Sequence, residues 1–295
     1  MFEYAIATAS NYTRPINTII RTYGGKQITT GSSTLFFIND EAVAITCKHV
    51  AQMLASSDHI NKTFNDFKKE RAALPNDGKY KMRLKGLEIK YNYDADTIIQ
   101  MKNTFVDCVD SMQGFTTHVH PTADLAIIQF KGFGKKLYNN HAIFLKDSGQ
   151  IKQGNMLCRL GFPFPEFTNF TFNEAADDID WSHTGVASTP QFPIDGMVTR
   201  FLADSPNEIT GIEMSTPGLK GQSGGPLFNK DGIVYGMQFS TKHLHLGFDL
   251  VNKDIIINHQ HKKVTDYSFL HLGQCVHVDV IKSFLKQHHY TYFEN

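Results

Sequence analysis

Short apolar runs separated by turn residues set the fold class of this 295-residue chain. The runs STLFFI, AVAITC, DLAIIQF, NMLCRLGF and GMVTRFL are rich in Val, Ile, Phe and Thr and have the length of strands rather than helices. Asn39-Asp40 separates the first two runs, and Lys230-Asp231-Gly232 separates PLF from IVYGMQF, so both places predict a hairpin. Many short strands with frequent turn residues predict an all-β sandwich or barrel.

Two segments have helical periodicity instead. In DHINKTFNDFKKERAAL (58–74) the apolar residues fall on one face, and Pro75 ends the run. VDVIKSFLKQHH near the C-terminus has the same pattern. We expect both to be packing helices. The polar, glycine-containing stretch 131–150 is the best candidate for a boundary between two β halves.

Composition excludes several classes of protein. The 29 basic residues balance the 29 acidic ones, so nothing indicates a nucleic-acid partner. No apolar run approaches the roughly 18 residues of a membrane span, and MFEYAIATASNYTRPI lacks the pattern of a secretory signal. The four cysteines form no C-x-x-C pair and predict free thiols in a reducing compartment. We therefore expect a cytoplasmic protein without a cofactor, with non-classical export or delivery to another cell as the alternative.

The stretch LKGQSGGPLFNKDG (219–232) places Ser223 between glycines and then turns back in a hairpin. Glycine is costly in regular elements, so this spacing fits a sharp bend whose N–H groups lie close to a reacting atom. Ser223 is the candidate nucleophile, and the N–H groups of Gly221 and Ser223 are candidate oxyanion donors.

A hydroxyl nucleophile needs a base, and that base needs a group that fixes its tautomer. His49 ends a predicted strand in AVAITCKHVAQML, which suits a rigidly held base. Asp124 opens the hydrophobic run DLAIIQF and is the candidate orienting carboxylate. Each residue alone is commonly structural, and the joint occurrence with Ser223 gives both their weight.

The order His49, Asp124, Ser223 in TCKHV, ADLAII and GQSGGPL resembles the trypsin-like serine protease superfamily. The chain is most similar there to the catalytic domain of the HtrA/Deg proteases. TTGSSTLFFIND, QGNMLCRLGFPF, GLKGQSGGPLFNKDGIVYGM and HVDVIKSFL extend this resemblance patchily over about residues 15–288. Gln222 stands where that family often has asparagine.

The resemblance implies an all-β, chymotrypsin-like fold of two packed six-stranded antiparallel β-barrels with a C-terminal helix and a helical insertion. Residues 1–140 would form the barrel with His49 and Asp124, and residues 141–295 the barrel with Ser223, together one protease domain. Relative to the family, we expect insertions at about 58–90 and 243–270 and no PDZ module.

The implied function is that of a serine endopeptidase that cleaves protein or peptide substrates through an acyl-enzyme, with narrow specificity. The insertions are candidate surfaces for a protein activator or an exosite partner. Candidate substrate-binding residues are Pro217, Met237, Gln238, Phe239, Ser240, Thr241, Gly273 and Gln274. Because Pro217 stands where enzymes selective for basic residues carry an aspartate, we expect small or medium apolar side chains to be preferred.

Three alternatives stay open. The fold could serve as a catalytically silent or partner-activated binding module, since fold alone does not guarantee activity. The G-x-S-x-G at 221–225 also fits the nucleophile elbow of an α/β-hydrolase, although that fold follows its serine with a helix. The H-x-H pairs at 118/120, 243/245 and 259/261 suggest a metal site, but no carboxylate or cysteine completes a ligand set, so no metal is expected.

Overall fold

The computed structural model describes residues 1–205 and 208–295. Strands dominate, and four α-helices accompany them in the described ranges: α1 (Glu3–Ser10), α2 (Lys48–Ala72), α3 (Tyr80–Tyr91) and α4 (Val278–Gln287). A short 3₁₀ turn spans Ser148–Gln150. No helix in these ranges has both the length and the apolar character needed to cross a membrane.

The N-terminal half forms one six-stranded antiparallel sheet in the order β4-β1-β2-β3-β6-β5. Its strands are β1 (Thr13–Thr22), β2 (Thr29–Phe37), β3 (Val43–Thr46), β4 (Ile98–Phe105), β5 (Gly114–Val119) and β6 (Ala126–Lys131). All four residues of β3 are buried, as a short run of apolar residues at a sheet centre requires. The rings of Phe105 and Phe115 lie 5.2 Å apart although they come from the two edge strands, so the sheet curls on itself.

The C-terminal half forms a sheet of eight strands. They are β7 (Ile143–Phe144), β8 (Met156–Gly161), β11 (Phe192–Ser205), β12 (Glu208–Met214), β13 (Pro226–Phe228), β14 (Ile233–His245), β17 (Phe269–His277) and β18 (Phe293–Glu294). The pairing of β13 with β14 closes β13-β8-β11-β12-β17-β14 into a six-stranded ring. The short β7 adds to β14 and the short β18 adds to β7, each in parallel. The expected all-β fold of two barrels is confirmed, with two extra strands beside the second.

Two hairpins stand apart from the barrels. One joins β9 (Phe170–Asn173) to β10 (Asp178–Trp181), and the other joins β15 (Leu250–Ile257) to β16 (Gln260–Asp266). The second continues from β14 and β17, which run beyond the barrel as a pair as far as His245 and Phe269. This hairpin occupies the expected insertion at 243–270 and exposes apolar side chains such as Phe248 and Ile256.

The helical insertion differs from its predicted bounds. Helix α2 begins at Lys48 rather than near residue 58, and α3 follows it within the expected insertion. The early start has a physical reason, because Val50, Ala51 and Leu54 continue the apolar face and are buried.

The insertion helices pack on the first barrel through an aromatic cluster built around Phe64, Phe67 and Tyr93. Asp177, in the turn of the β9–β10 hairpin, then binds Arg21 of β1 at 2.8 Å and Arg71 of α2 at 2.9 Å. This carboxylate ties the insertion to a hairpin of the second half.

The two barrels share a hydrophobic core. One cluster of buried side chains contains residues from both sheets, and the rings of Phe36 and Phe144 meet within it at 6.4 Å. The chain crosses from one sheet to the other between Lys131 and Ile143. We propose residues 1–140 and 141–295 as the two halves of one protease domain.

Candidate active site

Ser223 lies in the loop between β12 and β13 and is partly exposed. A turn precedes it, closed by the Gln222 N–H on the Leu219 carbonyl at 3.0 Å. Gly221 takes the third position of this turn with φ of +93°, as a type II turn requires and as glycine adopts without strain. The buried Gln222 side chain holds the loop from within, accepting from Leu219 N and donating to Phe192 O, each at 3.0 Å.

The first barrel is hydrogen-bonded to this loop through Thr34 of β2. The Thr34 N–H donates to the Ser223 carbonyl at 3.0 Å, and its hydroxyl donates to the Gly221 carbonyl at 2.7 Å. The same hydroxyl accepts from Phe162 N at 3.2 Å. Because Thr34 is fully buried, these bonds fix the loop against the seam between the barrels.

His49 is the second residue of α2, and Asp124 lies two residues before the buried start of β6. The Asp124 carboxylate accepts twice from His49, from its backbone N at 3.0 Å and from its ring Nδ1 at 2.7 Å. A proton on Nδ1 leaves the lone pair of Nε2 free to act as a base. The His49 side chain is half exposed, whereas that of Asp124 is 27% exposed.

The environment favours the ionised form of Asp124. Burial alone would raise the pKa of this carboxyl, but the two hydrogen bonds from His49 outweigh it and the pKa lies below its ordinary value. The carboxylate also faces the N-terminus of α2, where the helix dipole stabilises a negative charge. Lys48 holds the segment that precedes Asp124 in the sequence, because its ammonium donates to the carbonyls of His120 and Pro121 at 2.9 and 2.8 Å.

The Gln238 carbonyl brings the two loops together. It accepts from the Gly224 N–H at 2.9 Å, immediately after Ser223, and from the thiol of Cys47 at 3.3 Å, two residues before His49. Segments from different barrels thus converge on one acceptor. Burial raises the pKa of the Cys47 thiol, so this cysteine is a neutral packing residue rather than a candidate nucleophile.

The candidate oxyanion donors are available for a ligand. Within residues 1–205 and 208–295, neither Gly221 N–H nor Ser223 N–H donates to a protein acceptor. Both belong to the loop held by Thr34. Preorganised N–H groups of this kind can stabilise a developing oxyanion by roughly 3–4 kcal/mol each.

A cavity of about 300 Å³ opens beside Ser223. It is lined by Gly218, Leu219, Lys220, Ser223, Gln238, Phe239, Ser240, Thr241 and His243. Four predicted substrate-binding residues, those at 238–241, therefore lie in the wall. Of the other four, Met237 and Gly273 are buried, Gln274 pairs with Ser240 across the strands, and Pro217 precedes the wall segment 218–220.

Sequence reasoning missed the pocket residues Gly218, Leu219, Lys220 and His243, although each lies next to or near a predicted one. It also missed Arg159, which lies fully buried beneath Gln238. The signal for Arg159 was a single charged residue inside the apolar run NMLCRLGF.

The other candidate chemistries have little support. Strand β13, not a helix, follows Ser223, which does not fit an α/β-hydrolase elbow. In the described ranges, one group of three potential metal ligands lies close together, and it consists of Cys47, His49 and Asp124. The His49 ring and the Asp124 carboxylate of this group already bind each other. None of the H-x-H pairs belongs to such a group within those ranges.

The comparisons with known proteins concern the same region. A family model described as "Trypsin-like peptidase domain" matches residues 33–237. No curated protein matches.

Among solved structures, the chain is similar to "HtrA-type protease AlgW with decapeptide" at 12% identity and a TM-score of 0.48, covering 97% of this chain and 66% of that one. It is similar to the Rv3671c protease from M. tuberculosis, active form, at 11% identity and a TM-score of 0.47, covering 98% and 86%. The chain thus spans less than two thirds of the length of the AlgW structure. The family match extends over well more than half of the sequence and includes the segments that carry His49, Asp124 and Ser223, and this chain belongs to the trypsin-like peptidase family.

Proposed function

We propose that this chain is a serine endopeptidase that hydrolyses peptide bonds of protein substrates with Ser223, His49 and Asp124. The observation that carries the proposal is the double hydrogen bond from His49 to Asp124, which orients the imidazole and leaves Nε2 free. Membership of the trypsin-like peptidase family supports the reaction class.

In the first step, Ser223 Oγ attacks the carbonyl carbon of the scissile bond while His49 Nε2 takes the hydroxyl proton. The carbonyl oxygen becomes an oxyanion and accepts hydrogen bonds from Gly221 N and Ser223 N. His49 then gives its proton to the leaving nitrogen, the C–N bond breaks, and an ester to Ser223 remains.

In the second step, water attacks the ester while His49 takes a proton from the water. The tetrahedral intermediate again places its oxyanion between the two N–H groups. His49 returns the proton to Ser223 Oγ, the C–O bond breaks, and the carboxyl product leaves. Asp124 stabilises the imidazolium in both steps without accepting its proton.

The alternative is a partner-activated or catalytically silent binding module. The set of oriented histidine, ionised aspartate and unoccupied N–H donors favours the enzyme, because scaffolding needs none of them. The two insertions are the proposed exosites for substrate or activator, since the β15–β16 hairpin exposes apolar side chains and α2–α3 cover one side of the first barrel. The four buried, unpaired cysteines fit a reducing compartment.

Labelling with a fluorescent fluorophosphonate tests the proposal. We expect the wild type to be labelled and Ser223→Ala and His49→Ala to remain unlabelled. Ser56→Ala is the matched control, because that serine lies on α2 and its hydroxyl donates within the helix to Met53 O at 2.7 Å. Persistent labelling of Ser223→Ala would contradict the assignment, and unlabelled, folded wild type would favour the binding module.

A further inference from the structure

A buried cation lies beneath the pocket beside Ser223. Arg159 on β8 has no solvent-exposed surface, and its guanidinium extends under the strand segment that forms the pocket wall. Nη1 donates to Gln238 Oε1 at 2.7 Å, and Nη2 donates to the Thr216 carbonyl at 3.0 Å and to the Thr216 hydroxyl. Both partners are neutral.

Arg159 forms no ion pair with any of the described residues, although the carboxylate of Asp195 acts on it at longer range. No carboxylate of the described residues lies within ion-pair distance of it, and Nε is buried without an acceptor. Arg21, the comparable buried arginine of the first barrel, binds Asp177 at 2.8 Å instead. Burying an uncompensated charge costs several kcal/mol, and burial indeed lowers the pKa of Arg159.

Gln238 connects this cation to the pocket. Its Oε1 accepts from Arg159, which turns Nε2 away from the guanidinium to donate to the Ser240 carbonyl at 2.6 Å. The backbone is shaped around the pair. A Cβ at Gly218 would collide with Gln238 Nε2, and a Cβ at Gly273 would collide with Arg159 Nη1. The amide therefore stands between the buried charge and the pocket as a polarised N–H donor.

Lys220 adds a positive charge at the rim of the pocket. Lys220 and His243 line the opening, and both are exposed. The lining contains no aspartate or glutamate. Lys220 thus lies at the rim, the Gln238 amide lies in the wall, and the Arg159 guanidinium lies buried behind that amide.

We propose that this pocket selects substrates with an acidic side chain, glutamate or aspartate, on the acyl side of the scissile bond. The carboxylate would add a negative charge that stabilises the Arg159 guanidinium, which forms no ion pair in the described residues, and would accept from the donors of the wall. A basic side chain would be repelled, and an apolar one would leave the buried charge uncompensated. This specificity rests on the proposed endopeptidase function, and it replaces the apolar preference expected from Pro217 alone.

Matched peptides that differ only at this position, with Glu, Gln, Leu or Arg, test the selection. We expect kcat/KM for the Glu peptide to exceed that for the Gln peptide by about ten- to hundredfold, the range for hydrogen bonds to a charged group. Because Glu and Gln have nearly the same shape, this ratio isolates the charge. Equal cleavage of both, or faster cleavage of the Leu peptide, would overturn the proposal.

Two variants locate the effect. Arg159→Gln should abolish the Glu-over-Gln ratio, and Lys220→Gln, at an exposed site where folding is not threatened, should reduce it about two- to fivefold. Arg21→Gln is the matched control, because it removes a buried arginine that contacts no pocket residue. A ratio unchanged in Lys220→Gln and in folded Arg159→Gln would overturn the proposal.

Binding separates this inference from the enzymatic one. Peptides ending in Glu, Gln or Leu mimic the acyl-side product, and their affinity for Ser223→Ala is measured by fluorescence anisotropy. Tighter binding of the Glu peptide supports the inference even if fluorophosphonate fails to label the wild type. Equal binding of all three overturns it even if labelling and cleavage establish the protease.

Discussion

Asp124 holds His49 by two atoms at once, accepting from the backbone N at 3.0 Å and from the ring Nδ1 at 2.7 Å. The backbone bond fixes where the carboxylate stands relative to the first turn of α2. The ring bond then fixes the direction of the imidazole. The Asp124 carboxylate therefore determines both the position of the His49 ring and its tautomer.

Asp124→Asn keeps the shape of the side chain but exchanges an acceptor for an amide that can donate to Nδ1. The imidazole then favours the tautomer whose Nε2 carries the proton, which cannot act as the base. We expect kcat/KM on a cleaved peptide to fall about ten-thousandfold with the fold intact by circular dichroism. Asp66→Asn, an exposed aspartate on α2, should leave the rate unchanged. A loss of less than tenfold in Asp124→Asn would contradict the orienting role.

Gly221→Ala should remove activity by misplacing the oxyanion donors. The added Cβ would lie 2.8 Å from Pro163 Cα and 2.8 Å from Ser32 Oγ, in a backbone with φ of +93°. We expect fluorophosphonate labelling to slow by about a hundredfold or more, and the free energy of unfolding to drop by about 1–3 kcal/mol. Gly247→Ala has a similar φ of +75° with open space around it and should lose stability without slowing the labelling.

Phe67→Ala should detach the insertion helices from the first barrel. Phe67 is fully buried and meets Tyr93 at a ring distance of 4.9 Å and Tyr23 at 5.5 Å. The cavity left behind should lower the free energy of unfolding by about 3–5 kcal/mol in urea titrations. Met82→Ala on α3, at a side chain 67% exposed, should change it by less than about 0.5 kcal/mol. A small effect of Phe67→Ala would mean that the helices are not part of the cooperative fold.

Glu213 should make stability depend on pH. Burial would raise the pKa of this carboxyl, but hydrogen bonds from Arg200 and Thr199 outweigh it, so the folded pKa lies below the unfolded value of about 4.3. The ionised form therefore stabilises the fold above that value, and the contribution is lost as pH falls through the folded pKa.

Urea titrations of wild type and Glu213→Gln from pH 7 to pH 3 measure this. The wild type should be the more stable at pH 7, and the difference should shrink below about pH 4. Glu174→Gln, at an ion pair with Lys26 in which both side chains are more than 70% exposed, should show almost no difference at any pH. A pH-independent difference for Glu213→Gln would contradict the assigned charge.

Local signals explain which parts of the fold were predictable. The turn at Lys230-Asp231-Gly232 lies between β13 and β14 as expected, because Gly232 has φ of +82° and the turn chemistry is encoded in neighbouring residues. The start of α2 was misplaced because Cys47, its N-cap residue, makes no side-chain capping bond and so gives no N-cap signal in the sequence.

The contacts that Arg159 makes behind the pocket wall were not predictable from local sequence signals. Arg159 lies on β8, and its neighbours Thr216 and Gln238 come from other segments of the second half. Their meeting depends on the closure of the barrel by β13 and β14, which no local pattern specifies. Gln238 was predicted as a pocket residue from the resemblance to trypsin-like proteases, but the position of Arg159 behind it is a product of tertiary packing.

The hydrogen bond from Thr34 N–H to the Ser223 carbonyl joins the two barrels, and it makes the position of Ser223 sensitive to heating. Ser223 belongs to the second barrel, whereas Thr34, which holds its loop, belongs to the first. We therefore expect separation of the two barrels to displace Ser223 before either barrel unfolds. Heating should therefore extinguish fluorophosphonate reactivity at a lower temperature than it extinguishes the circular dichroism of the strands. Reactivity at Ser223 would then report contact between the two barrels. A molecule whose barrels have begun to separate would be unreactive while most of its strands remain folded.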